Sequence, residues 1–417
     1  MYPFQQLEVE QTETPNPLAA RRVWTGRQGQ GRSAGHFAVD EESCPASARK
    51  SFTVFCSRRG GPTLLSCSAV MIEAFSWKHD HLELLDQTLL PNQTIRLRIE
   101  TIEQMFEAIQ ILRVRGAPAI GITAAYGLYL GMRSAPFASR EEFFTLLDRK
   151  IAYLASARPT AVNLFWAMAE VRRRLNSLPE AAPGALQSGL LELAVELHAD
   201  DRQRCSAMAR HGGALIPDNA RILTHCNTGV LATGGMGTAL GVIHQAHLDG
   251  KKVHVFADET RPLLQGARLT MWELANASIP GQLICDGASA ALMRQGKVDL
   301  VIVGADRIAA DGSAANKIGT YHAAIAARYH KLPFYVAAPL STFDMALASG
   351  NEIPIEERNP DEIRNVFGKA MITLPDAACW NPAFDVTPPE LITAIITERG
   401  VLTPPFTETI RAMIGGS

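Results

Sequence analysis

Short apolar runs alternate with helical patterns throughout the second half of this chain, and this rhythm limits the possible folds more than any other feature. The apolar runs lie at 221–226, 252–257, 282–285, 299–303 and 333–337, and helical periodicity fills the gaps at 236–249, 267–277, 287–295 and 317–330. Runs such as Leu300-Val-Ile-Val303 are apolar on both faces, which is typical of parallel strands covered by helices on both sides. The pattern predicts an α/β fold with a doubly wound parallel sheet in residues 201–417.

Two further parts precede this predicted sheet. Residues 71–200 predict a mostly helical domain with a small sheet, since one alternating run, Ile95–Ile99, is followed by helical patterns. Residues 1–70 carry runs such as Thr25-Gly-Arg-Gln-Gly-Gln-Gly-Arg32 without a sustained period. We expect them to form a disordered extension, because such a composition buries too little apolar surface to offset the entropy of ordering.

The helical patterns of residues 71–200 have recognisable starts. Thr101-Ile-Glu-Gln104 resembles a capping box and predicts a helix that runs to Ile111. Further helices are predicted at 117–130, 141–155 and 163–175, and residues 185–210 predict one long helix or two.

Composition excludes several classes of protein. A net charge of -2 gives no reason to expect a nucleic-acid or membrane partner, and no apolar run approaches the roughly 18 residues of a membrane span. The first residues lack the basic and apolar regions of a secretory signal. Seven cysteines without regular spacing predict reduced thiols in the cytoplasm, and their spacing to histidines predicts no metal site.

Cys226 is the first candidate for chemistry. A lone cysteine is usually a small core residue. This one follows a predicted strand, within Thr224-His-Cys-Asn-Thr-Gly229, and a glycine-rich turn and a helix come next. Ligands bind at the carboxyl ends of parallel strands, and a helix amino terminus binds anions and stabilises a thiolate. The position therefore favours a reactive thiol in an enzyme that acts on a phosphorylated small molecule.

Asp306 is the second candidate, because it follows the apolar strand at 299–303. An aspartate there often only caps the next turn. Two polar groups at strand ends of one parallel sheet can also converge on one crevice, which favours an acid/base pair of Cys226 and Asp306.

Several basic and amide side chains are candidate ligands for the phosphate or the sugar. Asn316-Lys317 is predicted to open the helix at 317–330, where a lysine is unfavourable beside the positive helix end unless an anion binds. Gln265 follows a predicted strand, as does Arg261, whereas Arg115 and Arg158 lie in the first domain and would reach over the cleft. For each arginine alone, a structural ion pair is an equally good interpretation.

The glycine-rich run is not a nucleotide-binding motif. Gly235-x-Gly237-x-x-x-Gly241 lacks the last spacing of the dinucleotide fingerprint, and no Gly-Lys-Ser/Thr of a P-loop follows it.

Taken together, these strings resemble the methylthioribose-1-phosphate isomerases of methionine salvage. The resemblance covers about residues 71–402 and excludes residues 1–70. The matching strings are Leu84-Leu-Asp-Gln-Thr-Leu-Leu-Pro91, Val114-Arg-Gly-Ala-Pro-Ala-Ile-Gly121, Ala157-Arg-Pro-Thr-Ala-Val-Asn163, His225-Cys-Asn-Thr-Gly229, Asp258-Glu-Thr-Arg-Pro-Leu-Leu-Gln-Gly-Ala-Arg268, Gly304-Ala-Asp-Arg-Ile308, Ala315-Asn-Lys-Ile-Gly-Thr-Tyr321 and Asn381-Pro-Ala-Phe-Asp-Val-Thr-Pro388.

The resemblance implies a fold, a reaction and a set of residues. Cys226 matches the family's catalytic cysteine and Asp306 its proton-donating aspartate. The matching substrate-binding positions are Arg115, Gly116, Ala117, Arg158, Gln265, Asn316 and Lys317. The implied fold is a helical domain with a small sheet followed by a Rossmann-like domain, usually in a homodimer. The implied reaction turns 5-methylthioribose 1-phosphate into 5-methylthioribulose 1-phosphate without a redox cofactor or metal.

Two rival functions remain open. A ribose-1,5-bisphosphate isomerase shares the architecture and the Cys/Asp pair, but it needs a second anion site for which the sequence offers no obvious basic cluster. A regulatory subunit of the guanine-nucleotide exchange factor of translation initiation would be non-catalytic. Retention of Cys226 and Asp306 speaks against that function.

Overall fold

The computed structural model describes residues 72–159, 162–178 and 183–415. The disorder that the sequence predicts for residues 1–70 concerns residues outside these ranges. Within the described ranges, every helix is too short or too polar to cross a lipid bilayer.

Residues 72–213 form a small sheet and a set of helices, as predicted. Strands β1, β2 and β3 make an antiparallel sheet in the order β1-β2-β3. The elements are β1 (Phe75–Trp77), β2 (Leu82–Leu85), β3 (Arg96–Ile99), α1 (Ile102–Gln110), α2 (Ala117–Met132), α3 (Arg140–Ala155), α4 (Val162–Ser177) and α5 (Pro183–Gly213). The capping box is confirmed, since the Thr101 side chain accepts the Gln104 amide and the Gln104 side chain accepts the amide of Thr101.

Helix α2 lies in the middle of this helical part. Its sequence is almost entirely apolar, and most of its residues, including Tyr126 and Leu128, are buried. A helix that is apolar on all sides must be covered on all sides, so α1, α3, α4 and α5 pack around it. Helix α5 continues through residue 200, where the sequence places a domain boundary; the division into two domains stays a prediction.

The predicted alternation of strands and helices is confirmed in residues 220–415. The strands are β4 (Ala220–Thr224), β5 (Val253–Asp258), β6 (Gly281–Ile284), β7 (Leu300–Val303), β8 (Arg307–Ala309), β9 (Ala314–Lys317), β10 (Phe334–Ala337), β11 (Phe343–Asp344), β12 (Asn365–Val366), β13 (Ala370–Met371), β14 (Phe384–Thr387), β15 (Ala394–Thr397) and β16 (Gly400–Leu402). The helices are α6 (Ala239–Leu248), α7 (Met271–Asn276), α8 (Ser289–Arg294), α9 (Thr320–Tyr329), α10 (Asp361–Arg364) and α11 (Phe406–Gly415).

The large sheet has the order β16-β15-β10-β7-β4-β5-β6 and is parallel except for the edge strand β16. From β4 the chain first continues to β5 and β6 on one side, and then crosses to β7, β10 and β15 on the other. The strand order therefore reverses between β4 and β7. In doubly wound sheets the crevice outside the carboxyl ends of two such strands is where ligands bind. Cys226 follows β4 and Asp306 follows β7, so both candidates flank this crevice.

A second sheet lies next to it, with the order β11-β8-β9-β14. One interpretation from the sequence is wrong here: Asn316 and Lys317 do not open a helix but end strand β9, and α9 begins at Thr320. The reason is tertiary, because β9 pairs with β8 and with β14, which lies almost seventy residues later in the chain. A run of four residues carries no periodicity that reveals such a pairing.

Candidate active site

One cleft collects the nine residues that the family resemblance implies for the site. It lies where the helical part meets the carboxyl ends of β4 and β7. Its lining includes Cys226, Asp306, Arg115, Gly116, Ala117, Arg158, Gln265, Asn316 and Lys317. The thiol and the carboxyl thus share one cleft, although eighty residues of sequence separate them. The further candidate Arg261 is not among the lining residues of this cleft, and its guanidinium donates to the carbonyls of Pro262 and Ile363.

The backbone of Cys226 is held on both sides. Its φ is +64°, a left-handed conformation that is uncommon for a residue with a side chain. The Cys226 amide donates to Thr260 Oγ1 at 2.9 Å, and Thr270 Oγ1 donates to the Cys226 carbonyl at 2.6 Å. These two hydrogen bonds offset the energetic cost of the left-handed backbone at Cys226. Strained residues that the surrounding structure fixes in this way cluster at functional sites.

Asp306 lines the cleft shortly after the apolar strand β7. Its amide donates to the carbonyl of Ala315 at 2.8 Å. Burial raises the pKa of the Asp306 carboxyl, while the positive charges of Lys317, Arg115 and Arg158 oppose the rise. A raised pKa is what a carboxyl needs in order to hold a proton for donation near neutral pH.

Lys317 is a cation of the cleft that interacts electrostatically with both Cys226 and Asp306. Its Nζ donates to the Ala383 carbonyl at 2.9 Å and lies 4.3 Å from the centroid of the Phe384 ring. Burial lowers the pKa of Lys317, and the charges of Cys226 and Asp306 act in the opposite direction. Its neighbour Asn316 donates from Nδ2 to Thr320 Oγ1 at 3.0 Å.

Arg115 is positioned by a chain of hydrogen bonds that the sequence did not reveal. Its two terminal nitrogens donate to Asn227 Oδ1 and to the Asn227 carbonyl, each at 2.9 Å. Asn227 Nδ2 in turn donates to Glu273 Oε1 at 2.8 Å. Glu273 is buried and also accepts the amides of Val230 and Leu231 at 2.8 and 3.2 Å. Burial raises the pKa of Glu273, whereas these hydrogen bonds and the charge of Arg115 lower it.

Gly116 and Ala117 form the start of α2 at the cleft. Gly116 has a φ of +98°, and no side chain caps the first turn. A Cβ on Gly116 would lie 2.5 Å from the Cα of Ala232, so only glycine fits against the turn that precedes α6. Backbone N–H groups at an uncapped helix start are a common anion site.

Arg158 lines the same cleft from the segment after α3. Its Nη2 lies 3.5 Å from Glu356 Oε2. Burial lowers the pKa of Arg158, and Glu356 partly restores it. Arg358 also lines the cleft and binds Glu356 and Glu362, at 3.1 and 2.6 Å. The sequence did not identify Glu356 or Arg358, because a short run of alternating charges in an irregular segment resembles an ordinary solvated surface.

Gln265 completes the predicted set. It precedes a single π-helical turn, Gly266–Thr270, and π-helical turns are frequent at functional sites. Its Oε1 is buried and has no hydrogen-bond partner among the described residues. A buried acceptor without a partner is unfavourable, by about 1–3 kcal/mol, until something donates to it.

The lining of the cleft also includes apolar side chains. These are Leu112, Ile120, Leu263, Pro339, Ile353 and Pro354. The cleft therefore offers cationic groups, an uncapped helix start, a thiol, an acid and an apolar surface. This combination suits a small phosphorylated molecule with an apolar end.

A group of metal-ligating side chains lies outside the cleft. Ligand atoms of His225, Asp258 and Asp286 lie within 4.8 Å of one another. Both ring nitrogens of His225 already form hydrogen bonds, and the two oxygens of Asp286 accept the amides of Thr260 and Arg261. These contacts fit a structural network better than a metal site.

Known protein sequences match most of this chain. The family model described as the Initiation factor 2 subunit family matches residues 113–404. A methylthioribose-1-phosphate isomerase of Pelotomaculum thermopropionicum is 51% identical over 348 residues, which are 83% of this chain and 95% of that protein. A 5-deoxyribose 1-phosphate isomerase of Moorella thermoacetica is 50% identical over 345 residues, which are 83% of this chain and 98% of that protein.

Solved structures share the fold. The 5-methylthioribose 1-phosphate isomerase of Pyrococcus horikoshii OT3 is 40% identical with a TM-score of 0.78, and the match covers 84% of this chain and 97% of that one. The structure described as translation initiation factor eIF-2B, subunit delta, from A. fulgidus is 41% identical with a TM-score of 0.74, and the match covers 83% of this chain and 100% of that one.

Proposed function

Because this chain belongs to the Initiation factor 2 subunit family and, within it, to the methylthioribose-1-phosphate isomerases, we propose that it converts 5-methylthioribose 1-phosphate into 5-methylthioribulose 1-phosphate. It is then an aldose–ketose isomerase of methionine salvage. The observation that carries the proposal is the single cleft at the point where the strand order reverses, lined by both Cys226 and Asp306.

The substrate phosphate binds at the start of α2 in this proposal. The uncapped first turn at Gly116 and Ala117 donates backbone N–H groups, and Arg158, which lines the same cleft, supplies positive charge. Arg115, Asn316 and Lys317 line the same cleft and bind the remaining phosphate and sugar oxygens. Gln265, whose buried oxygen has no partner among the described residues, accepts a hydrogen bond from a sugar hydroxyl.

In this proposal, apolar side chains of the cleft receive carbon 5 of the sugar and its substituent. A methylthio group is apolar and gains free energy from contact with Leu263 and Ile353. A second phosphate would lose its hydration beside these apolar side chains, which disfavours a ribose-1,5-bisphosphate. A methyl group at the same carbon is also apolar, so 5-deoxyribose 1-phosphate, the substrate named for the Moorella thermoacetica relative, is the second candidate.

Asp306 opens the sugar ring in the proposed mechanism. The phosphate blocks the anomeric oxygen, so the ring bond from C1 must break with help from an acid at the ring oxygen. The buried setting that raises the pKa of Asp306 favours the protonated acid, which then gives its proton to the ring oxygen.

Cys226 takes part in the hydrogen transfer from C2 to C1, and two routes are open. On the first, the Cys226 thiolate removes the C2 proton, an enol phosphate forms, and the proton returns at C1 while the C2 hydroxyl gives its proton to the Asp306 carboxylate. On the second, a hydride moves directly from C2 to C1 while Cys226 assists at the C2 hydroxyl. Deuterium at C2 separates them: exchange into water requires the first route, and full retention at C1 favours the second.

The test is turnover by the purified protein with four compounds: the two candidate substrates, ribose 1,5-bisphosphate and ribose 1-phosphate. We expect the methylthio compound to give the highest kcat/KM. A non-catalytic regulatory subunit would convert none of them, and a preference for the bisphosphate would refute the assignment.

Two substitutions test the roles. Asp306→Asn and Cys226→Ala should each lower kcat by about 10²–10⁴-fold and leave KM nearly unchanged, since each removes one proton-transfer group. The matched controls are Asp249→Asn and Cys285→Ala, which change an exposed aspartate and an exposed cysteine. Control variants that lose the same activity would show that the loss is not specific.

We further propose that the enzyme works as a homodimer in the cytoplasm. Large exposed apolar side chains concentrate in residues 367–380, and a second copy of the chain would cover them. These side chains are Phe367, Met371, Ile372, Leu374 and Trp380. Light scattering of the wild type and of a Leu374→Glu, Trp380→Glu variant tests this interface, because the charges should shift the dimer toward monomer.

A further inference from the structure

A buried histidine–aspartate pair lies behind the cleft, at the residue next to Cys226. His225 and Asp258 expose only 1% and 2% of their surface. His225 Nδ1 lies 2.9 Å from Asp258 Oδ2, and His225 Nε2 lies 2.8 Å from the carbonyl oxygen of Ile318. Neither residue lines the cleft, so neither can touch a bound sugar phosphate.

The partners of the ring fix its protons. A carbonyl oxygen only accepts, so the Nε2 of His225 must carry a hydrogen. One further proton then lies between Nδ1 and the Asp258 oxygen, and the hydrogen bond forms whichever of the two atoms holds it. The pair as a whole carries no net charge in either form, which removes much of the cost of burying two ionisable groups.

The ring joins the ends of three strands. His225 follows β4 and directly precedes Cys226, while Asp258 is the last residue of β5. Ile318 directly follows Lys317 at the end of β9, in a different sheet. One imidazole therefore links the backbone that carries the thiol to the backbone that carries the lysine.

The turn after Lys317 is shaped around the ring. Gly319 has a φ of +103°, and a Cβ on it would lie 2.8 Å from His225 Cε1. The Gly319 amide donates to Asp385 Oδ2 at 2.7 Å on its other side. The turn is thus held between the imidazole and a second carboxyl, and it has little freedom to move relative to Cys226.

We propose that His225 and Asp258 are positioning residues, which set the distance between Cys226 and Lys317 and act on the reaction only through these two residues. The inference rests on the proposed function, since it assigns Cys226 and Lys317 to one active site. The competing explanation is that the pair contributes to stability alone. A misplacement of reacting groups by about 1 Å can cost 10²-fold in rate, so the two explanations differ in a measurable way.

Asp258 offers a matched pair of substitutions. In Asp258→Asn, the amide nitrogen donates to a neutral Nδ1, so every hydrogen bond of the ring is preserved. In Asp258→Ala, Nδ1 loses its partner and the ring is free to turn away from Ile318. We expect kcat of Asp258→Asn to stay within about threefold of the wild type, and kcat of Asp258→Ala to fall by about 10–100-fold with little change in KM.

A second readout does not depend on turnover. The rate at which iodoacetamide alkylates Cys226, followed on its peptide by mass spectrometry, reports the environment of the thiol directly. We expect this rate to change in Asp258→Ala and to match the wild type in Asp258→Asn. His225→Phe should resemble Asp258→Ala, and the Asp258 variants answer the question if His225→Phe does not fold.

Asp299→Ala is the control for a loss of stability alone. Asp299 pairs with Arg221 at 2.5 Å at the opposite end of β4 and β7, so its removal weakens the same strands far from the cleft. It should lower the melting temperature and leave kcat and alkylation unchanged. If Asp258→Ala behaves like this control, the positioning role is wrong. If the wild type converts no sugar phosphate, the proposed function fails, but alkylation still decides the role of the pair.

Discussion

Glu273→Gln is the substitution that most directly tests how the cleft is held together. Glu273 is 2% exposed and accepts three N–H groups, from the Asn227 side chain and from the amides of Val230 and Leu231. The loop is packed so tightly against it that a Cβ on Gly229 would lie 1.9 Å from Glu273 Oε2. Glutamine has the same shape but only one acceptor oxygen.

The expected cost follows from these contacts. The glutamine oxygen can keep the two donors that now point at Oε1, but its NH₂ group must face the Val230 amide. One buried donor is then left without an acceptor, which costs about 1–3 kcal/mol, and the remaining bonds lose the assistance of the charge. Relief from burying a carboxylate returns part of this loss, since burial raises the pKa of Glu273. We therefore expect a net loss of about 2 kcal/mol in the free energy of unfolding.

The effect on the reaction should appear in KM. The Asn227 amide keeps its acceptor but loses the charge that strengthens this bond, so it fixes the Arg115 guanidinium less firmly. Substrate binding should weaken by about tenfold, which corresponds to 1.4 kcal/mol, while kcat changes little. Urea unfolding gives the first quantity and steady-state kinetics the second. The control is Glu192→Gln at an exposed position of α5. A Glu273→Gln enzyme that matches this control in both measurements would refute the reasoning.

Two further substitutions have clear signs. Gly116→Ala introduces a Cβ at 2.5 Å from the Ala232 Cα at a φ of +98°, so the start of α2 must shift and kcat/KM should fall by about 10²-fold. Gly184→Ala, which has open space, is its control, and equal activity of the two would contradict the phosphate site. Burial raises the pKa of Asp201 to about 6. The folded protein therefore binds the Asp201 proton more tightly than the unfolded chain, and stability falls as pH rises from the ordinary aspartate pKa of 3.8 to about 6. Asp201→Asn should be more stable than the wild type above about pH 6, by about 1–3 kcal/mol, and the advantage should vanish near pH 4 in thermal unfolding.

The sequence predicted the parts of the site that depend on topology. Cys226 and Asp306 could be placed because each follows an apolar run, and the carboxyl ends of parallel strands share one edge of a sheet. The apolar runs at 221–226 and 299–303 became β4 and β7 with small changes at their ends. The roles of the nine site residues came from family resemblance, and they stay predictions until the substitutions are made.

The sequence did not predict the parts that depend on long-range pairing. The sequence indicated a helix start at Lys317. It could not show that Lys317 lies in β9, because the strand that pairs with β9 comes from residues 384–387. Glu273 could not be linked to Arg115, since the connection runs through Asn227 and a fold in which α7 packs behind the loop. Such links join residues that are distant in sequence, and neither composition nor periodicity records them.

The charges of the cleft lead to a prediction about how substrate binding changes the pKa of Asp306. Burial raises its pKa, but Lys317, Arg115 and Arg158 oppose the rise. A bound phosphate dianion neutralises these same cations, so substrate binding should raise the pKa of Asp306 further and retain the proton that ring opening requires. The pH profile of kcat/KM reports the free enzyme and that of kcat the complex with substrate.

The decrease in kcat on the basic side should therefore lie at higher pH than the decrease in kcat/KM. Arg158→Gln removes one of the opposing cations, so it should move the decrease in kcat/KM to higher pH while it weakens substrate binding. If the two wild-type profiles fall at the same pH, the phosphate does not act on the Asp306 carboxyl. The protein alone would then determine the pKa of Asp306, because the charge of the bound substrate would not alter it.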